Sequence, residues 1–258
     1  MDKMKHSDSV YLTLAALAVV SGSIAAQAAE IPVTTTNQWE SSVSAGATLT
    51  RGNSDTFLGT LTGATGKKWD QNELAFGADA AYGTTKDDTT GKDTTTAETL
   101  HGFGQYNRLF SERLYGYGRI EGLHDGVADI RYRITLSAGA GYYLIKTKTT
   151  QLSAEVGPGY IFQKLKDRSE SYATLRAGDK FTQELSDRAR MWQTAEILPQ
   201  VDDFNNFIVN FEIGVEADLN SSKKLALRVY LDDTYNNVPA AGRQKNDMKL
   251  VAAVAYKF

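Results

Sequence analysis

Leu250-Val251-Ala252-Ala253-Val254-Ala255-Tyr256-Lys257-Phe258 closes the chain. Leu250, Ala252, Val254, Tyr256 and Phe258 share one parity. Lys249, Val251, Ala253, Ala255 and Lys257 share the other. Successive side chains on a β-strand point to opposite faces, so this stretch has one face suited to hydrocarbon and an aromatic at its edge. The same alternation recurs upstream. Phe207, Val209, Phe211, Ile213, Val215, Ala217 and Leu219 are interleaved with Asn210, Glu212, Gly214, Glu216 and Asp218, with Ile208 as an apolar exception. Tyr132, Ile134, Leu136, Ala138, Ala140, Tyr142 and Leu144 alternate with Arg131, Arg133, Thr135, Ser137, Gly139, Gly141 and Tyr143. No stretch of comparable length has the 3.6-residue period of an amphipathic helix.

Extending the parity rule gives twelve segments, near residues 40–51, 56–69, 73–83, 95–109, 114–124, 131–145, 150–162, 170–185, 189–199, 207–219, 224–235 and 247–258. Their connectors alternate too. Asp70 to Asn72, Ser111 to Arg113, Lys146 to Thr149, Ser186 to Arg188 and Asn220 to Lys223 are short. The intervening connectors are mostly longer, except the tight Gly52-Asn53-Ser54-Asp55 hairpin. Short inner turns and longer outer loops are the rhythm of transmembrane barrels. The expected fold is therefore all-β: a transmembrane antiparallel up-and-down β-barrel of about twelve strands, with both termini on the short-turn side.

The N-terminus reads as an address. Lys3 and Lys5 (diluted by Asp2 and Asp8) precede an apolar run from Val10 to Val20, and Ala26-Gln27-Ala28 fits a cleavage site. The expected organisation is a signal peptide over 1–28, a periplasmic segment over 29–38 and a barrel over 39–258. The run is too short to span a bilayer. The absence of cysteine excludes disulfides, thiolate metal sites and a cysteine nucleophile. A formal net charge of −3 and the lack of a Lys/Arg cluster argue against nucleic acid. Outer-membrane lipid and lipopolysaccharide are the expected surroundings of a monomer in the outer membrane of a Gram-negative-type envelope.

If apolar residues face lipid, charges fill the lumen. The inward set comprises Asp79, Glu98, Arg119, Glu121, Arg131, Arg133, Glu155, Arg176, Lys180, Glu184, Arg190, Glu196, Glu212, Glu216, Asp218, Arg228 and Asp232. Opposite signs on neighbouring strands predict cross-strand pairing, with Arg119 and Glu121 beside Arg131 and Arg133, then Glu155, then Arg176 and Lys180. A twelve-stranded backbone cylinder is roughly 24 Å across, which leaves a bore on the order of 10 Å or less. Long Arg and Glu pairs are able to close it.

Three features depart from the pattern. Asp179 and Lys67 fall on the lipid parity; a bulge near Gly178 would turn Asp179 inward, and Lys67 can snorkel at the inner end. Gly102, Gly104, Gly116 and Gly118 form a smooth outward patch, expected to be covered by tyrosines such as Tyr106.

Little points to catalysis. The mature chain has only His101, on the inward parity, and His124, beside Asp125. No G-x-S-x-G elbow or H-E-x-x-H motif occurs, so no catalytic residue, metal site or cofactor is expected. Asp87-Asp88 and Asp202-Asp203 read as solvated loop acids.

Several motifs resemble one family. Thr50-Arg51-Gly52-Asn53-Ser54-Asp55-Thr56, Ser111-Glu112-Arg113-Leu114, Asp129 to Arg133 with Gly139 to Tyr142, Glu155 to Tyr160 and Glu196 to Pro199 are similar, in order, to segments of the salt-induced outer-membrane proteins, domain of unknown function 481. The aromatic end, Tyr256 and Phe258, resembles the C-terminal insertion signal of outer-membrane barrels. That resemblance implies periplasmic chaperones and the barrel-assembly machinery as partners. The family resemblance implies a single barrel, an outer-membrane location and a link to salt or osmotic stress, but no enzymatic activity. The favoured reading is a narrow passive channel or envelope-stability protein. The alternatives are a lipid-modifying enzyme with His101 as base and a soluble periplasmic ligand-binding barrel.

Overall fold

The computed structural model describes residues 37–50, 54–87 and 92–258. Residues 1–28, expected to be a signal peptide, most of the expected 29–38 segment and the expected Gly52-Asn53 turn lie outside the described residues. Twelve strands run in order: β1 (Trp39–Thr50), β2 (Ser54–Trp69), β3 (Asn72–Asp87), β4 (Asp93–Leu109), β5 (Leu114–Asp125), β6 (Ile130–Lys146), β7 (Thr150–Leu165), β8 (Ser169–Ser186), β9 (Ala189–Pro199), β10 (Phe207–Asp218), β11 (Leu225–Asn236) and β12 (Asn246–Lys257). Each pairs antiparallel with its sequence neighbours, and β1 pairs with β12, so the sheet closes on itself. Closure leaves no edge strand, the condition for placing backbone amides in hydrocarbon. Several strands run past their expected ends. β3 continues to Asp87 and β7 to Leu165, which lengthens the wall on the side of the long loops.

The two faces are chemically opposite. Leu61, Leu100 and Val156 are about 60% exposed on the outside, whereas Arg228 and Glu212 are 2% exposed within. Patches of exposed apolar side chains this continuous are foreign to water-soluble monomers. Aromatics ring both ends of the apolar band. Trp39, Tyr106, Tyr142, Tyr256 and Phe258 lie toward the short turns, and Tyr82, Tyr132, Tyr160 and Phe162 toward the long loops. Such girdles sit at membrane interfaces. The oily interior that a soluble ligand-binding barrel would need is replaced here by charge.

Inward glycines make room for large rings. A Cβ on Gly141 would lie 2.2 Å from the Tyr115 ring, and one on Gly214 would lie 2.4 Å from the Trp192 ring. Tyr115 and Trp192 therefore lie flat on backbone, and both are buried. Gly139 and Gly157 meet across β6 and β7, where a Cβ on either would fall about 2 Å from the opposing carbonyl oxygen, Val156 O or Ala138 O.

The outward patch is covered, but not as the sequence suggested. The Phe76 ring lies against Gly104 and the Phe110 ring against Gly116, while Gly118 and Gly122 have open space above them. Tyr106 instead turns its hydroxyl to Asn72 Oδ1 at 2.6 Å. Asp179 stays on the outside. β8 keeps its register with β7 throughout and with β9 as far as Glu184, so no bulge occurs at Gly178. The Asp179 carboxylate bonds the Gln193 side chain on the same outward face. Lys67 also points outward, 6.0 Å from the Trp39 ring centre at the inner rim.

Gly139→Val and Gly157→Val place branched side chains where there is no room. Overpacking of a tight site costs about 1–3 kcal/mol or more. Each variant is expected to lose most of the compact, heat-modifiable gel band that the wild type gives after refolding in detergent; wild-type recovery of that band would contradict the close β6–β7 approach.

Candidate functional site in the lumen

The lumen is a stack of layers rather than a bore. Its middle is a charge network centred on Glu155. Arg176 Nη1 donates to Glu155 Oε2 at 2.7 Å and Arg176 Nε to Glu196 Oε2 at 2.8 Å. Gln105 Nε2 and Tyr115 OH donate to Glu155 Oε1 at 2.9 and 3.0 Å. Lys180 Nζ stands 3.8 Å from the same oxygen. Arg119 bridges Gln105 Oε1 at 2.9 Å and Glu121 Oε1 at 2.5 Å, with its guanidinium 4.3 Å from the Phe103 ring centre. Asn210 Nδ2 extends the network to β10 by donating to Glu196 Oε1 at 2.8 Å.

A second network covers the opposite wall. Glu216 receives Arg228 Nε at 2.6 Å, Arg190 Nη2 at 3.2 Å and Lys257 Nζ at 3.1 Å, and Lys257 also pairs with Asp218. Arg228 Nη2 reaches Ser42 Oγ at 3.1 Å, so this network ties β10 and β11 to β1 beside the barrel's closing seam. Between the two walls, His101 Nδ1 and Asp79 Oδ1 are 2.9 Å apart, Trp192 Nε1 donates to Glu212 Oε1 at 2.5 Å, and Lys249 Nζ lies 3.7 Å from Asp232 Oδ2.

Most of the expected inward set is thus inside: Asp79, Arg119, Glu121, Arg133, Glu155, Arg176, Lys180, Glu196, Glu212, Glu216 and Arg228 all project into the lumen. Arg131 does not. Ile130 pairs with Leu165 and Tyr132 with Lys164, so a bulge inserts one residue, and β5 skips from Leu123 to Asp125 opposite it. The buried side passes from Ile130 directly to Arg133, leaving Arg131 and Tyr132 both outside. The Arg131 carbonyl accepts from the exposed His124 ring at 2.9 Å. Glu98 is likewise exposed, since the inward residues of β4 are Ala97, Thr99 and His101. Glu184 is exposed at the inner end of β8. Without Arg131 the expected cross-strand series is broken: Arg119 pairs along its own strand with Glu121, and Arg133 donates to the neutral Gln163 Oε1 at 2.8 Å.

Sequence reasoning missed the neutral members. Gln105, Tyr115, Trp192 and Ser42 complete the networks; their inward parity was readable, but the bonds of Gln105, Tyr115 and Ser42 join strands that are not neighbours in the chain. Lys249 and Lys257 were readable as inward on β12 and prove to be paired there.

Toward the long loops, the lumen turns apolar. Ile161, Leu198 and Ile208 form one buried cluster, with Tyr172 against it; Leu123, Ile130 and Leu165 form another. Ile208, the parity exception of β10, is a member of this layer. Ala240, from the loop between β11 and β12, packs on the second cluster. That loop crosses the mouth, because β5–β6 and β11–β12 stand on opposite sides of the ring. Its far end is held by Arg243, whose Nε and Nη2 lie 2.7 and 2.6 Å from Asp129 Oδ2 in the β5–β6 loop. The space left is divided. A cavity of about 140 Å³ opens among Lys68, Glu73, Lys146 and Glu155 at the short-turn end. Voids of about 40 and 30 Å³ lie beside His101 and beneath the crossing loop.

Removing one partner of a desolvated pair strands the other, at a cost of about 3–5 kcal/mol. Glu155→Ala leaves Arg176 with only Glu196 of its two paired carboxylates and strips Gln105 and Tyr115 of an acceptor, so it should lower the temperature at which the folded gel band converts to the unfolded one by many degrees. Arg131→Ala, outside the network, should shift it little, within about 0.5 kcal/mol. The reverse order would place Arg131 in the lumen after all.

No curated protein matches the chain. Among solved structures the fold is similar to the NanC porin (TM-score 0.49, 7% identity, 84% of this chain and 98% of that one). It is similar also to the translocator domain of the autotransporter NalP from Neisseria meningitidis (TM-score 0.44, 14% identity, 85% and 86%) and to the outer membrane channel DcaP of Acinetobacter baumannii (TM-score 0.42, 9% identity, 85% and 95%). Residues 43–258, from within β1 to the terminal aromatic, match the family described as protein of unknown function DUF481, and the chain belongs to that family.

Proposed function

We propose that this protein is an outer-membrane channel for small solutes, closed at rest by its own lumen and by the β11–β12 loop. The apolar outer surface and aromatic girdles support a place in a membrane. The terminal Tyr256 and Phe258, stacked at 6.1 Å on the outer face of β12, support delivery to the outer membrane. One observation carries the channel reading: the loop that spans the mouth from β11–β12 to the Arg243–Asp129 pair. A barrel that only stiffened the envelope would have no need of a closure anchored by one half-exposed ion pair over a polar interior.

The anchor is weak by construction. Arg243 and Asp129 side chains are 39% and 18% exposed, and exposed pairs contribute about 0.2–1 kcal/mol. Salt screens such a pair far more than the buried Arg176–Glu155 pair, so the lid is the element through which ionic strength would act. The enzyme alternative gains no support from His101, which bonds Asp79 inside the lumen, away from the lipid where such an enzyme would work.

Planar-bilayer recording of the refolded protein tests this. The wild type should be mostly silent, with rare small steps. Arg243→Ala should raise the open-to-closed ratio by up to about five-fold, the amount that one exposed pair can supply. Deleting residues 238–243 should raise it further. A deletion variant as silent as the wild type over a wide range of salt would leave the protein as a structural barrel.

A further inference from the structure

We infer that the cavity at the short-turn end is a binding vestibule for a small hydroxylated organic anion, of monosaccharide size or less. The cavity holds about 140 Å³ and is lined at its deeper side by Glu155, Gln105 and Trp192. Lys68 and Lys146, beside the short turns, line its opposite side.

Charge selects the class. The lining has three lysines, Lys68, Lys146 and Lys180, against two carboxylates, Glu73 and Glu155. Both carboxylates are already saturated. Glu73 receives Lys68 Nζ at 2.8 Å on one oxygen, and Asn107 Nδ2 at 3.2 Å and Tyr143 OH at 2.9 Å on the other. Glu155 receives Gln105 and Tyr115 on one oxygen and Arg176 on the other. Neither is left to attract a cation. An ammonium, by contrast, has three donors. Lys146 places one on the Glu112 carbonyl at 2.6 Å and rests 4.1 Å from the Tyr143 ring centre, which holds it at the rim facing inward. The short turns add Arg113, Lys148, Arg188, Lys223 and Lys224 against Asp70, Glu112 and Asp187, a net positive collar that raises the local concentration of anions.

The neutral groups select hydroxyls. Gln151 and Thr182 contribute an amide and a hydroxyl to the wall, each able to donate and to accept. Part of the Trp192 ring contributes a flat apolar face. That ring is closely packed: it lies on Gly214, sits 6.3 Å from the Tyr230 ring centre and donates Nε1 to Glu212. A packed aromatic face beside hydrogen-bonding groups of both kinds matches a compact molecule with a C–H face and several hydroxyls.

Three tryptophans occur in the chain, and Trp39 and Trp69 sit at the inner rim. In detergent micelles, a Trp39→Phe/Trp69→Phe background leaves Trp192 as the sole reporter. Titration with sodium gluconate, at ionic strength held constant with sodium chloride, should give a saturable change in its emission. Glucose should bind at least several-fold more weakly, and choline chloride not at all. Lys146→Ala, which touches no buried pair, should weaken gluconate several-fold, and Lys180→Met ten-fold or more. If Lys180→Met fails to give the folded gel band, Lys146→Ala decides alone. No saturable response, equal response to glucose or choline, or full affinity in Lys146→Ala overturns the inference. Binding needs no open lid, so a lid-deletion variant that stays silent in planar bilayers would sink the channel and leave the vestibule standing.

Discussion

Hydrocarbon offers no partner for an amide, and everything else in this molecule follows from that. Each unpaired backbone group in a bilayer costs several kcal/mol, so a sheet within it must close. Here closure is completed by β1 and β12, whose paired register runs from Ser42↔Lys257 to Gly46↔Ala253 and is far shorter than that of β1 with β2. The seam is reinforced from other directions. The Ser41 and Phe258 backbones bond reciprocally at 3.1 and 2.9 Å, and Arg228 reaches across β12 to Ser42 from inside. The last residue of the chain thus has a structural task besides being an aromatic at the interface.

Closure also dictates what fills the interior. Twelve strands enclose a space narrow enough for long side chains to fill and too wide for backbone alone to fill. The chain solves this unevenly. Where a ring must lie flat, the opposing inward position is glycine, as with Tyr115 over Gly141 and Trp192 over Gly214. Elsewhere Arg and Glu pair between adjacent strands, as Arg176 does with Glu155 and Glu196, and the neutral Gln105 and Tyr115 reach Glu155 from strands farther round the wall. The ion pairs gain little net stability over apolar filler, because desolvation offsets most of the attraction. Their value is that the interior remains polar and separable, in contrast to the apolar layer of Ile161, Leu198 and Ile208 above it.

That contrast gives the barrel a direction. Its long-loop end is packed with aliphatic side chains and crossed by a loop held through Arg243, and its short-turn end opens into a polar recess. A symmetric filler would show neither. The outward face has its own irregularity in Asp179, which remains among apolar neighbours by bonding Gln193. A carboxylate on the lipid face is less costly when a side-chain amide shares its hydrogen bonds.

The period-two alternation from Phe207 to Leu219 and from Leu250 to Phe258 determined by itself that this chain makes strands with one oily face, and the rhythm of short and long connectors determined how those strands are joined. Parity also placed Glu155, Arg176, Glu212 and Glu216 on the inner wall. It failed at Arg131, because a single inserted residue reverses every assignment on one side of it, and a bulge leaves no mark that alternation can detect. It placed Asp179 outside correctly, and the bulge near Gly178 that would have turned it inward does not occur. Which charges meet was decided only in three dimensions. Glu155 is bonded by residues from β4, β5 and β8, and Arg243 finds Asp129 across the full width of the mouth. Alternation is a local property of one strand, whereas those contacts depend on the curvature and stagger of the closed sheet, which bring together side chains that no sequence spacing relates.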